Sequence, residues 1–283
     1  MLTRFAPSPT GELHLGHAYS ALAAHDAARG AGGAFRLRID DIDGSRSREI
    51  YVDAALADLA WLGLGWDGAP VRQSERLGAY DAALADLAAR GLVYPCFCTR
   101  ADIAASLAAP HGPAGALYPG TCRHLLPGDR ERRMAQEPHC WRLDMRRAAA
   151  LAGKLWWEEE GQGLRAADPA AHGDIVLARK DAPASYHLAS TLDDAAMGVT
   201  HVVRGADLIA STDVHRLLQA LLGLSTPLYR HHALVCDTAG QRLAKRDAAA
   251  SLAALRARGV DGKKLAADLR AGRLPSGYSL RMP

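Results

Sequence analysis

Two histidines stand three residues apart in the stretch RFAPSPTGELHLGH, Arg4 to His17, directly after a short apolar run and a proline turn. If a helix opens at Leu15 after a turn at Gly11, His14 and His17 fall on one face near its N-terminus. Unpaired backbone N–H groups and the positive end of the helix dipole attract anions there, so a phosphate is the chemistry this spacing suits. Gly16 has no side chain, and a base or ribose can therefore approach the backbone closely. Taken alone, the pair equally suits a metal or two partly buried histidines.

A second group is Cys96, Cys98 and, further on, Cys122. Three thiolates at this spacing could serve a tetrahedral Zn²⁺, with a fourth ligand still to be found. Imidazole is a far commoner zinc ligand than phenolate, which nominates His124, two residues after Cys122, with His111 as a further candidate. Three thiols without a metal are the plain alternative. Cys140 and Cys236 are isolated, and we give them no role. Five cysteines, two of them in a tight pair, suit a reducing compartment and a metal better than a disulfide framework.

The elements that must position these groups alternate. LTRFA and AFRLRI read as short buried strands, and the segments 15–29 and 46–62 as amphipathic helices, which is a βαβ opening and argues for a parallel sheet. LGAYDAALADLAARG reads as a helix with a glycine stop, followed by the strand-like LVYPCFC. Between Thr99 and Glu137 the period is lost among Pro, Gly, His and Arg, which marks an insertion. HCWRLDM restores order. GDIVLARK and VTHVVRG are expected as strands, STDVHRLLQALLG as a capped helix, and LYRHHALV as a strand leading into the AGQRLAKRD loop. No internal repeat is visible, and the alanine richness is helix propensity rather than a functional signal.

With 283 residues and 49% apolar composition, the chain can bury a sizeable core as one domain with an insertion. No apolar run of secretory or membrane-spanning length is present, so we expect a soluble, cytoplasmic protein without a membrane role. The net charge of +3 is unevenly placed. From Arg242 to Pro283 ten Lys or Arg stand against three Asp, a balance of +7, which leaves −4 for residues 1–241. Such a segment can meet a polyanion such as RNA, or be a solvated helical surface.

The histidine pair follows the first strand, and in open parallel sheets ligands bind beyond the carboxyl ends of the strands. The motif resembles the first signature of class I aminoacyl-tRNA synthetases. With LRIDDID it looks like the opening of the glutamyl-tRNA synthetase family, and LGLGWDG, QSERLGAYDAAL, YHLASTLDDAAMGVTHVVRGADL and QRLAKRD follow in that family's order. The resemblance covers roughly residues 1–250. It implies an α/β, Rossmann-like class I synthetase catalytic domain, with its first half over 1–95, a zinc-binding insertion over 96–138, a second half with a KMSKS-like loop over 139–247, and a short basic helical tail over 248–283.

CFC followed by YPGTC, and a sequence that ends soon after Asp247, look like the truncated glutamyl-Q tRNA(Asp) branch of the family, with no helical anticodon-binding region expected. That likeness implies activation of glutamate with ATP and Mg²⁺ without tRNA, and transfer to queuosine in the anticodon stem-loop of tRNA(Asp), by an enzyme expected to be a monomer. By the same resemblance His14, Gly16, His17 and Lys245 would bind ATP, with His14, His17 and Lys245 catalytic. Arg4, Tyr186 and Arg204 would hold the glutamate side chain, Ser8 and Asp40 its ammonium, and Ala6 would line the same site. Cys96, Cys98, Tyr118 and Cys122 would bind one zinc, so Tyr118 competes with His124 for the fourth place.

Two departures from the family pattern stand out. RIDD replaces RIED, so Asp40 is one methylene short, and RLAKR lacks the serine of the KMSKS-type loop. They suggest, as one alternative, a catalytically weakened RNA-binding paralogue; the other alternative is an ordinary glutamyl-tRNA synthetase-like or other adenylate-forming or nucleotidyl-transferring enzyme on this fold.

Overall fold

The structure, a computed structural model, describes residues 1–99, 101–103, 117–243 and 251–282. Strand β1 (Leu2–Phe5), helix α1 (Leu15–Gly30) and strand β2 (Ala34–Ile39) form a parallel crossover, with Leu2 opposite Ala34. Leu15, Ala18, Ala21, Leu22, Ala24 and Ala28 of α1 are buried; their spacing of mostly three or four residues gives one apolar stripe against the sheet. Gly33 closes the crossover. A Cβ there would sit 2.1 Å from the Met1 carbonyl oxygen, which accepts the Ala34 N–H. Helix α2 (Glu49–Trp61) leads to β3 (Val71–Arg72), parallel to β2, in the sheet order β1-β2-β3.

Helix α3 (Leu77–Ala89) runs into β4 (Val93–Cys96), and the described part of the insertion contains α4 (Pro127–Gln136). Strand β5 (Cys140–Leu143) returns antiparallel to β4. Then follow α5 (Met145–Ala152), the hairpin β6 (Trp156–Glu159) and β7 (Gly163–Ala166), and β8 (Val176–Ala178), which lies antiparallel on β5. Helix α6 (Tyr186–Ala196), β9 (His201–Gly205), α7 (Ile209–Leu221) and β10 (Leu228–His232) complete a second sheet, β7-β6-β10-β9, in which β10 is parallel to both neighbours. The two sheets meet where Thr200 N–H donates to the Leu2 carbonyl at 3.0 Å and Leu2 N–H to Thr200 Oγ1 at 2.8 Å.

The chain ends with β11 (Leu234–Cys236), α8 (Leu252–Ala257), α9 (Gly262–Arg270) and β12 (Ser279–Arg281), the last antiparallel to β11. This segment is part of the core: Leu252, Leu265 and Leu269 are buried with Leu15, Leu37 and Leu59. Four of its arginines are spent within the molecule, Arg242 on Asp207, Arg256 on Asp58, Arg270 on Asp26 and Arg273 on Asp268.

Several elements differ from the sequence expectations. LVYPCFC and HCWRLDM do not join the parallel sheet; they pair with each other because the insertion bridges them like a long hairpin loop. LYRHHALV divides at Ala233, since β10 continues the parallel sheet while β11 turns to meet β12. Helix α7 opens at Ile209 with no side-chain cap, because the 3₁₀ turn Ala206–Leu208 leads straight into it. The β6-β7 hairpin and strand β12 are additions. Among the described residues no helix is long and apolar enough to cross a membrane.

Candidate active site

A cavity of about 210 Å³ opens where the carboxyl ends of β1, β2, β9 and β10 converge, lined by Phe5 and Ala6, Asp40, Gly205, and His232 and Ala233 in turn. This is the crevice in which open parallel sheets hold ligands. Arg4, Ala6, His14, Gly16, His17, Asp40, Tyr186 and Arg204 all line it. Ser8 is exposed and is not among the lining residues. Lys245 and His111 lie outside the described residues.

His14 is the N-cap of α1, in an extended backbone conformation, and its carbonyl accepts the His17 and Ala18 N–H groups at 2.8 and 3.0 Å. Its Nδ1 accepts the Gly16 N–H at 3.1 Å, and His17 Nδ1 accepts the His14 N–H at 3.1 Å. Both rings therefore use Nδ1 as an acceptor, which leaves Nε2 to carry the proton in each neutral imidazole. Two N–H donors at a helix N-terminus suit phosphate oxygens. Gly16 has a second reason to lack a side chain: a Cβ there would lie 3.0 Å from His14 Cε1. The start of α8 closes on this turn, where Leu252 N–H donates to the Leu13 carbonyl at 2.8 Å.

The deeper wall carries paired charges. Arg4 gives Nε and Nη2 to the two oxygens of Asp194, at 2.9 and 3.1 Å. Arg38, fully buried in β2, gives Nη1 to Asp194 at 2.6 Å and Nε and Nη2 to Asp40 at 2.6 and 3.2 Å. Burial pushes the Asp194 carboxyl up, but Arg4 and Arg38 outweigh it and hold the group below the usual carboxylate range. For Asp40 burial wins over Arg38, helped by the charges of Asp193 and Asp194, and its carboxyl is raised.

Arg204 is the exception. Its Nε donates to His231 Nε2 at 3.2 Å, Nη1 reaches the Tyr186 hydroxyl at 3.3 Å and His215 Nδ1 at 3.1 Å, and Nη2 reaches the Leu208 carbonyl and Thr212 Oγ1. Every partner is neutral. Burial, then the Arg204 charge and His187, push His215 far down, and His231 falls to about 4 through burial and Arg204 despite Glu159. Among the described residues no carboxylate ion-pairs with Arg204, whereas Arg4, Arg38 and Arg242 at the same cavity all have one.

Away from the cavity, Cys96, Cys98 and Cys122 bring their sulfurs within 4.8 Å of one another, and Cys98 Sγ lies 3.5 Å from Cys122 Sγ. The Tyr118 oxygen is 3.3 Å from Cys96 Sγ and 3.6 Å from Cys98 Sγ, and it accepts the Cys122 N–H at 2.9 Å. His124 is exposed and outside the cluster. Cys140 stands opposite Cys96 across the β4-β5 ladder. Its hydrogen bond to Cys96 lowers the Cys96 thiol and raises its own, with Tyr118 and Arg142 also pulling Cys96 down. Three converging sulfurs with a phenol oxygen among them are compatible with zinc.

The family model "tRNA synthetases class I (E and Q), catalytic domain" matches residues 1–270. The chain belongs to this family. Curated relatives include the glutamyl-Q tRNA(Asp) synthetase of Rhodobacter capsulatus, 50% identical over 272 residues that cover 92% of this chain and 96% of the relative. That of Symbiobacterium thermophilum is 44% identical over 276 residues, covering 94% and 84%. The crystal structure of glutamate-tRNA synthetase from Elizabethkingia anophelis is similar, with a TM-score of 0.74 at 30% identity. A glutamate tRNA ligase from Elizabethkingia meningosepticum, in complex with its amino acid, gives 0.73 at 30% identity. Each match covers 87% of this chain, which spans about half the length of those two proteins, 53% and 52%. It is a ligase of the aminoacyl-tRNA synthetase type.

Sequence reasoning missed several residues that shape this candidate site. Arg38 and Asp194 are internal charges on a strand and a helix, and Glu159, His215 and His231 stand behind Arg204. The signal for Arg38 was available, since a guanidinium inside the strand AFRLRI requires a buried partner. Asp194, 156 residues away from it, could not be matched to it by spacing.

Proposed function

We propose that this chain activates glutamate with ATP, without tRNA, and transfers the glutamyl group to queuosine in the anticodon of tRNA(Asp). The observation that carries the reading is Arg204, the cavity arginine whose partners are all neutral. A buried cation without a counter-charge favours an anionic side chain over its amide, because only a carboxylate supplies the missing charge. Tyr186, half exposed at the mouth, adds a hydroxyl donor to the same carboxylate.

In this reading the substrate ammonium faces Asp40, whose oxygens keep lone pairs beyond those used by Arg38, with Ala6 lining the same cavity and Arg4, held by Asp194, in the wall behind. The α-carboxylate of glutamate attacks the α-phosphorus of ATP in line, a new O–P bond forms, and the bond to pyrophosphate breaks. Such a step asks for positioning and neutralisation of charge rather than covalent help. His14 and His17 offer Nε2–H donors beside the first turn of α1, and Mg²⁺ travels with the ATP. Lys245, assigned from its place in RLAKR, would stabilise the leaving pyrophosphate. The two relatives named above and the glutamate ligases of similar fold support the choice of amino acid.

We assign a structural zinc to Cys96, Cys98, Cys122 and Tyr118. It would tie the insertion to the end of β4 and would supply cross-linking rather than catalysis.

The test is exchange of labelled pyrophosphate into ATP with glutamate and Mg²⁺ but no tRNA. Exchange with glutamate and not glutamine is expected. Exchange that appears only on addition of tRNA, or with glutamine equally, would overturn the reading.

A further inference from the structure

Behind Arg204 stands a buried chain of groups that the reaction itself does not use. Glu159, the last residue of β6 and 3% exposed, receives two hydrogen bonds from one residue of β10. The His231 N–H donates to Oε1 at 2.8 Å, and His231 Nδ1 meets Oε2 at 2.6 Å. On the far side of the ring, His231 Nε2 accepts from Arg204 Nε at 3.2 Å. The imidazole is held flat by Tyr229, stacked at 6.1 Å, and by the edge of Trp157 at 5.9 Å.

A neutral imidazole has one N–H and one lone pair, and its partners decide which nitrogen carries which. Nε2 accepts the Arg204 Nε–H, so the proton stands on Nδ1, where Glu159 Oε2 lies 2.6 Å away to accept it and fix that tautomer. The opposite tautomer would set an N–H donor against the Arg204 Nε–H donor. We propose that Glu159 is a positioning residue for the substrate carboxylate site, setting the plane of the Arg204 guanidinium through the tautomer of His231. This rests on the reading of Arg204 as the glutamate side-chain site.

Glutamine cannot replace Glu159 in this role. Its single oxygen can serve the His231 N–H or the Nδ1–H, and its amide nitrogen then faces the other, so one arrangement opposes two donors and the other forces the wrong tautomer. Aspartate keeps both acceptor oxygens on a shorter arm.

The experiment compares Glu159→Gln and Glu159→Asp with the wild-type chain in glutamate-dependent pyrophosphate exchange, and reads the His231 ring nitrogens by ¹⁵N NMR. In Glu159→Gln the KM for glutamate should rise about tenfold while kcat and the KM for ATP stay within twofold, and Glu159→Asp should lose less than threefold. The wild-type His231 should carry its proton on Nδ1. That NMR reading holds even if the glutamine variant fails to fold. A wild-type proton on Nε2, an unchanged glutamate KM in Glu159→Gln, or parallel losses for glutamate and ATP would each overturn the positioning role while leaving the glutamate reading intact. Absence of any glutamate-dependent exchange by the wild-type chain would overturn both.

Discussion

Arg38 grips Asp40 along one edge of its guanidinium, Nε to Oδ1 at 2.6 Å and Nη2 to Oδ2 at 3.2 Å, while its remaining nitrogen holds Asp194. The shortened acid of RIDD is thus kept at the cavity wall by the strand that carries it. Asp40→Asn should leave Arg38 paired with Asp194 and the fold intact, yet weaken glutamate binding by roughly 1–3 kcal/mol, the scale of a lost charged hydrogen bond. Calorimetric titration with glutamate and with ATP checks this, and ATP affinity should barely change. Unchanged glutamate affinity would restrict Asp40 to holding Arg38.

Replacing Arg204 by lysine keeps the charge and discards the planar fork. With five neutral acceptors arranged around that fork, Arg204→Lys should lower kcat/KM for glutamate about 100-fold, while the KM for ATP stays within threefold. Steady-state exchange kinetics give both values. A loss shared equally by the two substrates would mean that the substitution has disturbed the cavity as a whole.

Metal analysis of protein prepared without chelator should find about one zinc per chain, the expectation for three thiolates and a phenolate in one closed site. Tyr118→Phe should reduce that content or its resistance to chelators, and His124→Ala should change neither. A metal-free preparation that melts at the same temperature as one supplied with zinc would show that packing alone holds the insertion.

Buried histidines give the fold an acid-side weakness. His187 is lowered to about 4, first by burial and then by His172 and Arg204. His231 also falls to about 4, first by burial and then by Arg204, against Glu159. His215 is lowered by burial, Arg204 and His187. Their folded values lie below the ordinary 6.5, so the unfolded chain binds protons that the folded chain refuses. Stability present above pH 6.5 is then lost progressively as the pH falls towards about 4. Urea midpoints should be lower at pH 5 than at pH 7.5, and His187→Gln should flatten that slope. Equal midpoints at the two pH values in the wild-type chain would contradict this.

What could be read in the sequence was whatever local spacing carries. His14 and His17 announce a helix N-terminus because three residues make nearly one turn, and the structure puts the N-cap at His14. Cys96, Cys98 and Cys122 announce a cluster because a tight cysteine pair with a third thiol further on reads as a metal site rather than a disulfide framework, and the sulfurs do converge. Arg4, Asp40, Tyr186 and Arg204 came from the resemblance alone, and the fold brings them to one cavity because each lies in or just beyond a strand, or at the start of a helix, at the same end of the sheets. The buried pairings escaped for a physical reason. Asp194 with Arg4, and Glu159 with His231, join residues 190 and 72 positions apart, and nothing in a one-dimensional pattern records which charge will meet which. The antiparallel β4-β5-β8 sheet escaped similarly, since a short apolar run does not state the direction of its partner.

The central claim concerns the acceptor, and the direct measurement offers labelled glutamate with ATP to three purified RNAs: tRNA(Asp) containing queuosine, tRNA(Asp) lacking it, and tRNA(Glu). A parallel set is treated with periodate beforehand, which destroys both the terminal ribose diol and the cyclopentene diol of queuosine. Our account expects label only on queuosine-containing tRNA(Asp), retained after removal of the 3′-terminal nucleotide and lost after periodate. Label on tRNA(Glu), or on tRNA(Asp) without queuosine, would contradict it.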